Sequence, residues 1–95
     1  MTGIQDLRNT GLIGLYNTGV FWYCTNVTEW KLPSTLTGTF FGSYVFADNT
    51  KLSAIELPVS LTAIASNCFD GDTQLKNISI PAKVAIIHSD AFYDC

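Results

Sequence analysis

His88, Ser89 and Asp90 are the residues of this chain whose types would suit acyl transfer: a base, a nucleophile and an orienting carboxylate. Their spacing argues against it. A triad orients its base across a cleft, with an oxyanion hole beside the nucleophile, and three consecutive residues in one turn do not face each other that way. His88 is read as a surface histidine. No catalytic residue is assigned, and the chain is expected not to be an enzyme. Cys24, Cys68 and Cys95 have the chemistry of nucleophiles or metal ligands, but no CxxC occurs and a single His accompanies them. That is not metal-ligand spacing, so no metal is expected. Asp70 and Asp72 flank Gly71 in a turn that falls short of the alternating ligands of an EF-hand loop. No Gly-rich loop precedes a helix to cradle a phosphate, and no cofactor is expected. Asn26-Val27-Thr28 and Asn77-Ile78-Ser79 are glycosylation sequons, close to chance in a chain with eleven Thr and seven Ser.

The chain that positions these groups has 95 residues, room for one domain. Its apolar fraction of 47% can supply a core, while only 14% of residues are charged, well below the roughly 25% of an average soluble domain. Net charge is −3 and the pI is near 4.7. Such a balance offers neither a basic nucleic-acid surface nor a polybasic membrane patch. No apolar run approaches the roughly 18 residues of a membrane-spanning helix, and no direct membrane insertion is expected. The start, Met1-Thr2-Gly3, carries no basic segment and no clean apolar stretch, so no signal peptide is visible.

The organising feature is a period. Phe21, Phe46, Phe69 and Phe92 are separated by 25, 23 and 23 residues, and Pro33, Pro58 and Pro81 by 25 and 23. The last two units align closely: Leu52 with Leu75, Ile55 with Ile78, Leu57 with Ile80, Leu61 with Val84, Ile64 with Ile87. The unit before them fits through Val27, Trp30, Leu32, Pro33, Leu36, Phe41 and Phe46, with two extra residues between Leu36 and Phe41. The chain is therefore read as one segment, 1–95, with a degraded unit at 1–26 and units at 27–51, 52–74 and 75–95. The first is expected to be a half-unit, with Leu12 or Ile13, then Tyr16, then Phe21 in its slots. Leu-x-x-Ile-x-Leu-Pro alternates at its end as a short strand does, and proline closes it. Ser66-Asn67, Asp70-Gly71-Asp72 and Asn17-Thr18-Gly19 are turn chemistry. Short helical turns are expected around the Phe positions. One unit's apolar side chains bury too little to offset the entropy of ordering the unit, so neighbours must share a core.

These residues resemble the BspA-like class of leucine-rich repeat, which reads approximately Leu-x-x-Ile-x-Ile-Pro-x-x-Val-x-x-Ile-x-x-x-Ala-Phe-x-x-Cys. Leu75 to Cys95 satisfies it throughout. Leu52 to Asp72 satisfies it except for Cys68 in place of Ala and Asp72 in place of Cys. Val27 to Asn49 is looser, with Val45 for Ala and Asn49 for Cys, and Val20 to Cys24 resembles the tail of a further unit. The resemblance implies a mainly β solenoid of about four coils, short parallel strands stacked in a ladder with turns and short helical turns. It also implies a part of a large surface or secreted protein, several such proteins being adhesins. Solenoids need polar end caps; none is written here, so the chain is expected to belong to a longer array or to self-associate through uncapped ends.

In such a strand the residues between the inward positions face solvent. Lys31, Glu56 and Ser79 would form one exposed column and Glu29, Ala54 and Asn77 the next, either a contact face for a protein or glycan or a solvated sheet with Lys31 and Glu56 as a cross-rung pair. Phe40, Trp22 and Tyr93 are either aromatic anchors for a partner or edge packing. Trp30 takes an inward slot and is read as core. Cys24 and Cys95 share a slot three coils apart, roughly 14 Å at about 4.8 Å per coil, beyond the reach of a disulfide. All three thiols are read as buried and small. The function expected is a non-enzymatic, adhesin-like repeat segment; the alternative is a structural spacer that projects other domains.

Overall fold

The computed structural model describes residues 1–36 and 41–95. Its regular elements are five short strands: β1 (Gly3–Asp6), β2 (Val27–Lys31), β3 (Ala54–Ile55), β4 (Ala63–Ile64) and β5 (Ile86–Ile87). Strands β1, β2 and β3 form one sheet in that order, β4 and β5 form a second, and every pair is parallel. An isolated parallel bridge joins Leu15 to Phe41. It has the geometry of the second sheet: Gly42 N–H donates to the Leu15 carbonyl at 2.8 Å, as His88 N–H donates to the Ile64 carbonyl at 2.9 Å. Ladder partners lie about one sequence period apart, so the period is a backbone-pairing distance as well as a residue pattern. No helix occurs among the described residues.

Strand β2 shows how the pattern sets the register. Val27 and Trp30 are both fully buried, yet three residues apart they are out of phase for a strand of period two. A register shift between Gly3 and Ile4 absorbs the mismatch, pairing Gly3 with Val27 but Ile4 with Glu29. Beyond it Trp30 pairs with Ile55, both inward, and Glu29 pairs with Ala54, both outward.

The Phe segments form turns, not the short helical turns expected. Phe21 N–H donates to the Val45 carbonyl, Phe46 N–H to Cys68 and Phe69 N–H to Ala91, at 2.9, 2.9 and 2.8 Å. Each time the acceptor is the residue just before the next Phe. The residue two before each Phe and the residue two after it have positive φ: Gly19, Tyr44, Asn67 and Asp90, then Tyr23, Asp48, Gly71 and Asp94. A left-handed residue every few positions stops a right-handed helix from propagating, and it turns each N–H toward the neighbouring unit.

The core is one continuous cluster from Leu15 to Ala91. Its spine is the Phe column: ring centroids are 5.8 Å apart for Phe21–Phe46, 5.5 Å for Phe46–Phe69 and 5.3 Å for Phe69–Phe92, with interplanar angles of 22°, 11° and 1°. Trp30 sits fully buried against Phe21 and Phe46. Three expectations need correction. Leu15, 2% exposed, takes the slot assigned to Tyr16, which is 50% exposed. The N-terminal stretch is more than a half-unit: residues 3–6 pair with β2, a strand hidden in sequence because Gln5 fills the slot of Trp30 and no proline follows. Ile80 and Ile87 occupy inward slots by pattern but are exposed.

Candidate binding face

The outward positions of β1, β2 and β3 make one face. Ile4, Glu29 and Ala54 run across it in register, with Asp6 paired to Lys31 beside them. Two clefts lie on it. One, of about 430 Å³, is bordered by Arg8, Glu29, Lys31 and Glu56 over a floor that includes Leu32 and Leu57. The other, of about 680 Å³, lies between Ala54–Leu57 and Asn77–Pro81, and the two share Glu56, Leu57 and Val59. All the outward residues read from the pattern, Glu29, Lys31, Ala54, Glu56, Asn77 and Ser79, border these clefts. Asp6 and Arg8 went unrecognised in sequence, because the strand that carries Asp6 and leads into Arg8 was hidden.

Charge on this face is arranged differently from expectation. Among the described residues the ion pair is Arg8 with Asp6, Nη2 to Oδ2 at 2.6 Å and Nε to Oδ1 at 2.8 Å, and not Lys31 with Glu56. Arg8's side-chain hydrogen bonds, then its backbone N–H, hold the Asp6 carboxyl well below the usual carboxylate range. The same contact raises the guanidinium. Lys31 and Glu56 are left to project along the clefts without a mutual salt bridge.

The aromatic residues gather elsewhere, on the turn side. Trp22, 37% exposed, stacks on Tyr44 at 4.4 Å and on Tyr23 at 5.3 Å. Its Nε1 donates to Asp48 Oδ2 at 3.1 Å. Tyr93 is exposed, and Phe40 lies outside the described residues. Tyr44 and the stacking role of Tyr23 went unread. The signal was available: both stand in left-handed slots, φ 60° each, where the other units use Gly, Asn or Asp. A bulky residue with positive φ is an outlier, costing about 1–2 kcal/mol.

The slot three residues after each Phe holds Cys24, Asn49, Asp72 and Cys95. Cys95 Sγ donates to the Phe69 carbonyl at 3.3 Å, and Asn49 Nδ2 donates to the Phe21 carbonyl at 2.9 Å. Asp72 is fully buried. Its Oδ1 accepts from Asn49 N–H at 2.9 Å, while Oδ2 has no hydrogen-bond partner among the described residues. Burial, then the charges of Asp48 and Asp70, push its carboxyl up to about 8, against the opposing Asn49 N–H. The thiols are also displaced upward: burial takes Cys68 to about 12, burial and then Asp72 take Cys95 to about 11, and burial raises Cys24. All three are free; Cys68 is buried as expected, whereas Cys24 is only half-buried and Cys95 is exposed. His88, Ser89 and Asp90 are all exposed, at the end of β5 and in the turn that follows. Both sequon asparagines, Asn26 and Asn77, are exposed. No group of His, Cys, Asp or Glu among the described residues is arranged to hold a metal ion. No helix among them is long and apolar enough to cross a membrane.

A family model described as BspA type leucine rich repeat region (6 copies) matches residues 13–95. The chain belongs to the BspA-type leucine-rich repeat family. The match takes in the Phe column and β2 to β5, and it leaves β1 outside. That agrees with the departure of the first twelve residues from the leucine-rich pattern. No curated protein and no solved structure matches the chain.

Proposed function

We propose that this chain is a non-enzymatic, adhesin-like solenoid of about four coils, on a cell surface or secreted, that holds a protein or glycan ligand on the β1–β3 face. The observation that carries the reading is the convergence of Glu29, Lys31, Ala54, Glu56, Asn77 and Ser79 on two adjoining clefts. Stacked units give extended surfaces of this kind. The rim carries charges of both signs over apolar floors, a common composition for recognition surfaces. The repeated parallel pairing and the Phe column support the solenoid form. Family membership supports the surface or secreted location. The acidic balance, net charge −3, favours these ligands over nucleic acid.

The test is an array of matrix proteins and glycans probed with the wild-type chain and with Lys31→Ala/Glu56→Ala. Saturable binding that the double substitution abolishes supports the reading. Binding that survives it moves the contact off this face, and no binding above background favours the spacer.

A further inference from the structure

Trp22 and Tyr23 are exposed on the turn side, away from the clefts, and Tyr44 is half-buried with its ring stacked on Trp22. In the slots of the two tyrosines the other units carry Gly19, Asn67 and Asp90, and Asp48, Gly71 and Asp94, residue types that enter the left-handed region at low cost. The slot of Trp22 is filled elsewhere by Ala47, Asp70 and Tyr93. Ala47 and Asp70 in the Trp22 slot, and Gly, Asn or Asp in the tyrosine slots, show that a unit folds without a large aromatic at these places. The backbone strain of two left-handed tyrosines falls on one spot, beside an exposed Trp22, and strain of this kind signals use.

The chemistry narrows the occupant. The turn segments 16–25, 41–49, 64–73 and 87–95 contain no Lys or Arg, so nothing there neutralises a phosphate, a sulfated sugar or a nucleic acid. The rings are close to parallel, Trp22 with Tyr23 at 7° and with Tyr44 at 22°. That makes a stack with flat faces, not the box of crossed rings that encloses a cation. Asp48, which fixes the indole through Nε1, keeps acceptor capacity on its carboxylate. A flat ring face next to a hydroxyl acceptor matches a neutral sugar. The axial C–H bonds of an equatorially substituted pyranose carry partial positive charge toward the negative ring face.

We propose that Trp22, Tyr23 and Tyr44 form a platform for a neutral, equatorially substituted glycan whose hydroxyls hydrogen-bond to Asp48. This site is separate from the β1–β3 face and stands or falls without it.

Cellohexaose, chitohexaose and laminarihexaose are titrated against the whole chain by calorimetry and by protection of tryptophan fluorescence from acrylamide. Trp30, fully buried, is the internal reference. At least one hexaose is expected to bind saturably and shield Trp22. Tyr23→Gly and Tyr44→Asn place in each slot a residue type the other units already use there. Each is expected to raise the dissociation constant at least tenfold while leaving the melting temperature unchanged or higher. Lys31→Ala/Glu56→Ala is expected to bind the hexaose as wild type does, which separates this site from the cleft face. The proposal is overturned if no hexaose binds saturably, if Tyr23→Gly binds undiminished, or if a polyproline decapeptide or a heparin hexasaccharide is preferred.

Discussion

Trp30 Nε1 donates to Asn49 Oδ1 at 2.8 Å, and both residues are fully buried. Each departs from the repeat pattern, a Trp where Ile is usual and an Asn where Cys is usual, and each answers the other. A buried indole needs an acceptor, and a thiol in the Asn49 slot would be a weak one. Asn49 then spends its amide on the Phe21 and Ala47 carbonyls, at 2.9 and 3.1 Å.

That coupling predicts a non-additive cycle. Asn49→Cys, which restores the family residue, leaves the Trp30 N–H without a strong acceptor and costs about 1–3 kcal/mol. Trp30→Leu alone loses packing and strands Asn49 Oδ1. Together they cost less than the sum, by an interaction energy of at least about 0.5 kcal/mol. Urea denaturation of the four proteins measures it, and strict additivity contradicts the pairing.

Asp72 predicts the pH dependence. Its folded-state carboxyl is raised from 3.8 to about 8 by burial and by Asp48 and Asp70. The folded chain therefore holds a proton that the unfolded chain releases near pH 4. Stability from this group is full below the ordinary carboxyl range and is lost progressively as pH rises toward 8. Asp72→Asn removes the titration. By the register of Asn49 on Phe21 and Cys95 on Phe69, it also supplies a donor toward the Phe46 carbonyl. The melting temperature of wild type should fall between pH 5 and 9, and that of Asp72→Asn should stay flatter and end higher. Parallel curves would falsify this assignment.

Gly71 predicts a local lesion. Its φ is 80°, and a Cβ added there would collide with Asp48 Oδ1. Gly71→Ala should cost about 1–2 kcal/mol for the left-handed backbone alone. It should also push Asp48 away from the Trp22 indole. Thermal melts and acrylamide quenching report the two effects: a lower melting temperature and a more accessible Trp22.

The cysteines predict an order of reactivity. Thiolates, not thiols, react, and burial takes Cys68 to about 12 while Cys95 reaches about 11. In the native chain at pH 8, a disulfide-exchange reagent should label Cys95 and Cys24 slowly and Cys68 last. Unfolding in urea should release all three at once. Early labelling of native Cys68 contradicts its burial.

Much of the architecture was legible because the period acts through apolar side chains, whose types survive in each unit. Leu52 to Phe69 and Leu75 to Phe92 align without a gap, and the Phe column follows from it. What escaped did so for identifiable reasons. Strand β1 carries Gln5 in an inward slot, so polarity hid it, and with it Asp6 and Arg8. Leu15 and Tyr16 are adjacent and both apolar in character, and the choice between them depends on one extra residue before Phe21. The turns recur through backbone sign at Tyr44 and Tyr23, Asp48 and Gly71, and side-chain type does not encode that sign when a tyrosine occupies the slot. The outward face was legible as alternation, but its clefts depend on where the rungs diverge, which a one-dimensional pattern does not carry.

The central claim is that equivalent side chains of successive units pile into one interior. Nuclear Overhauser spectroscopy on chain with protonated Phe in a deuterated background reads it directly. The Phe69 ring should show cross-peaks to both the Phe46 and Phe92 rings, whose centroids lie 5.5 and 5.3 Å away, and Phe46 should show none to Phe92. A Phe69 ring in contact with neither, or Phe46 in direct contact with Phe92, would contradict the shared core and the face built upon it.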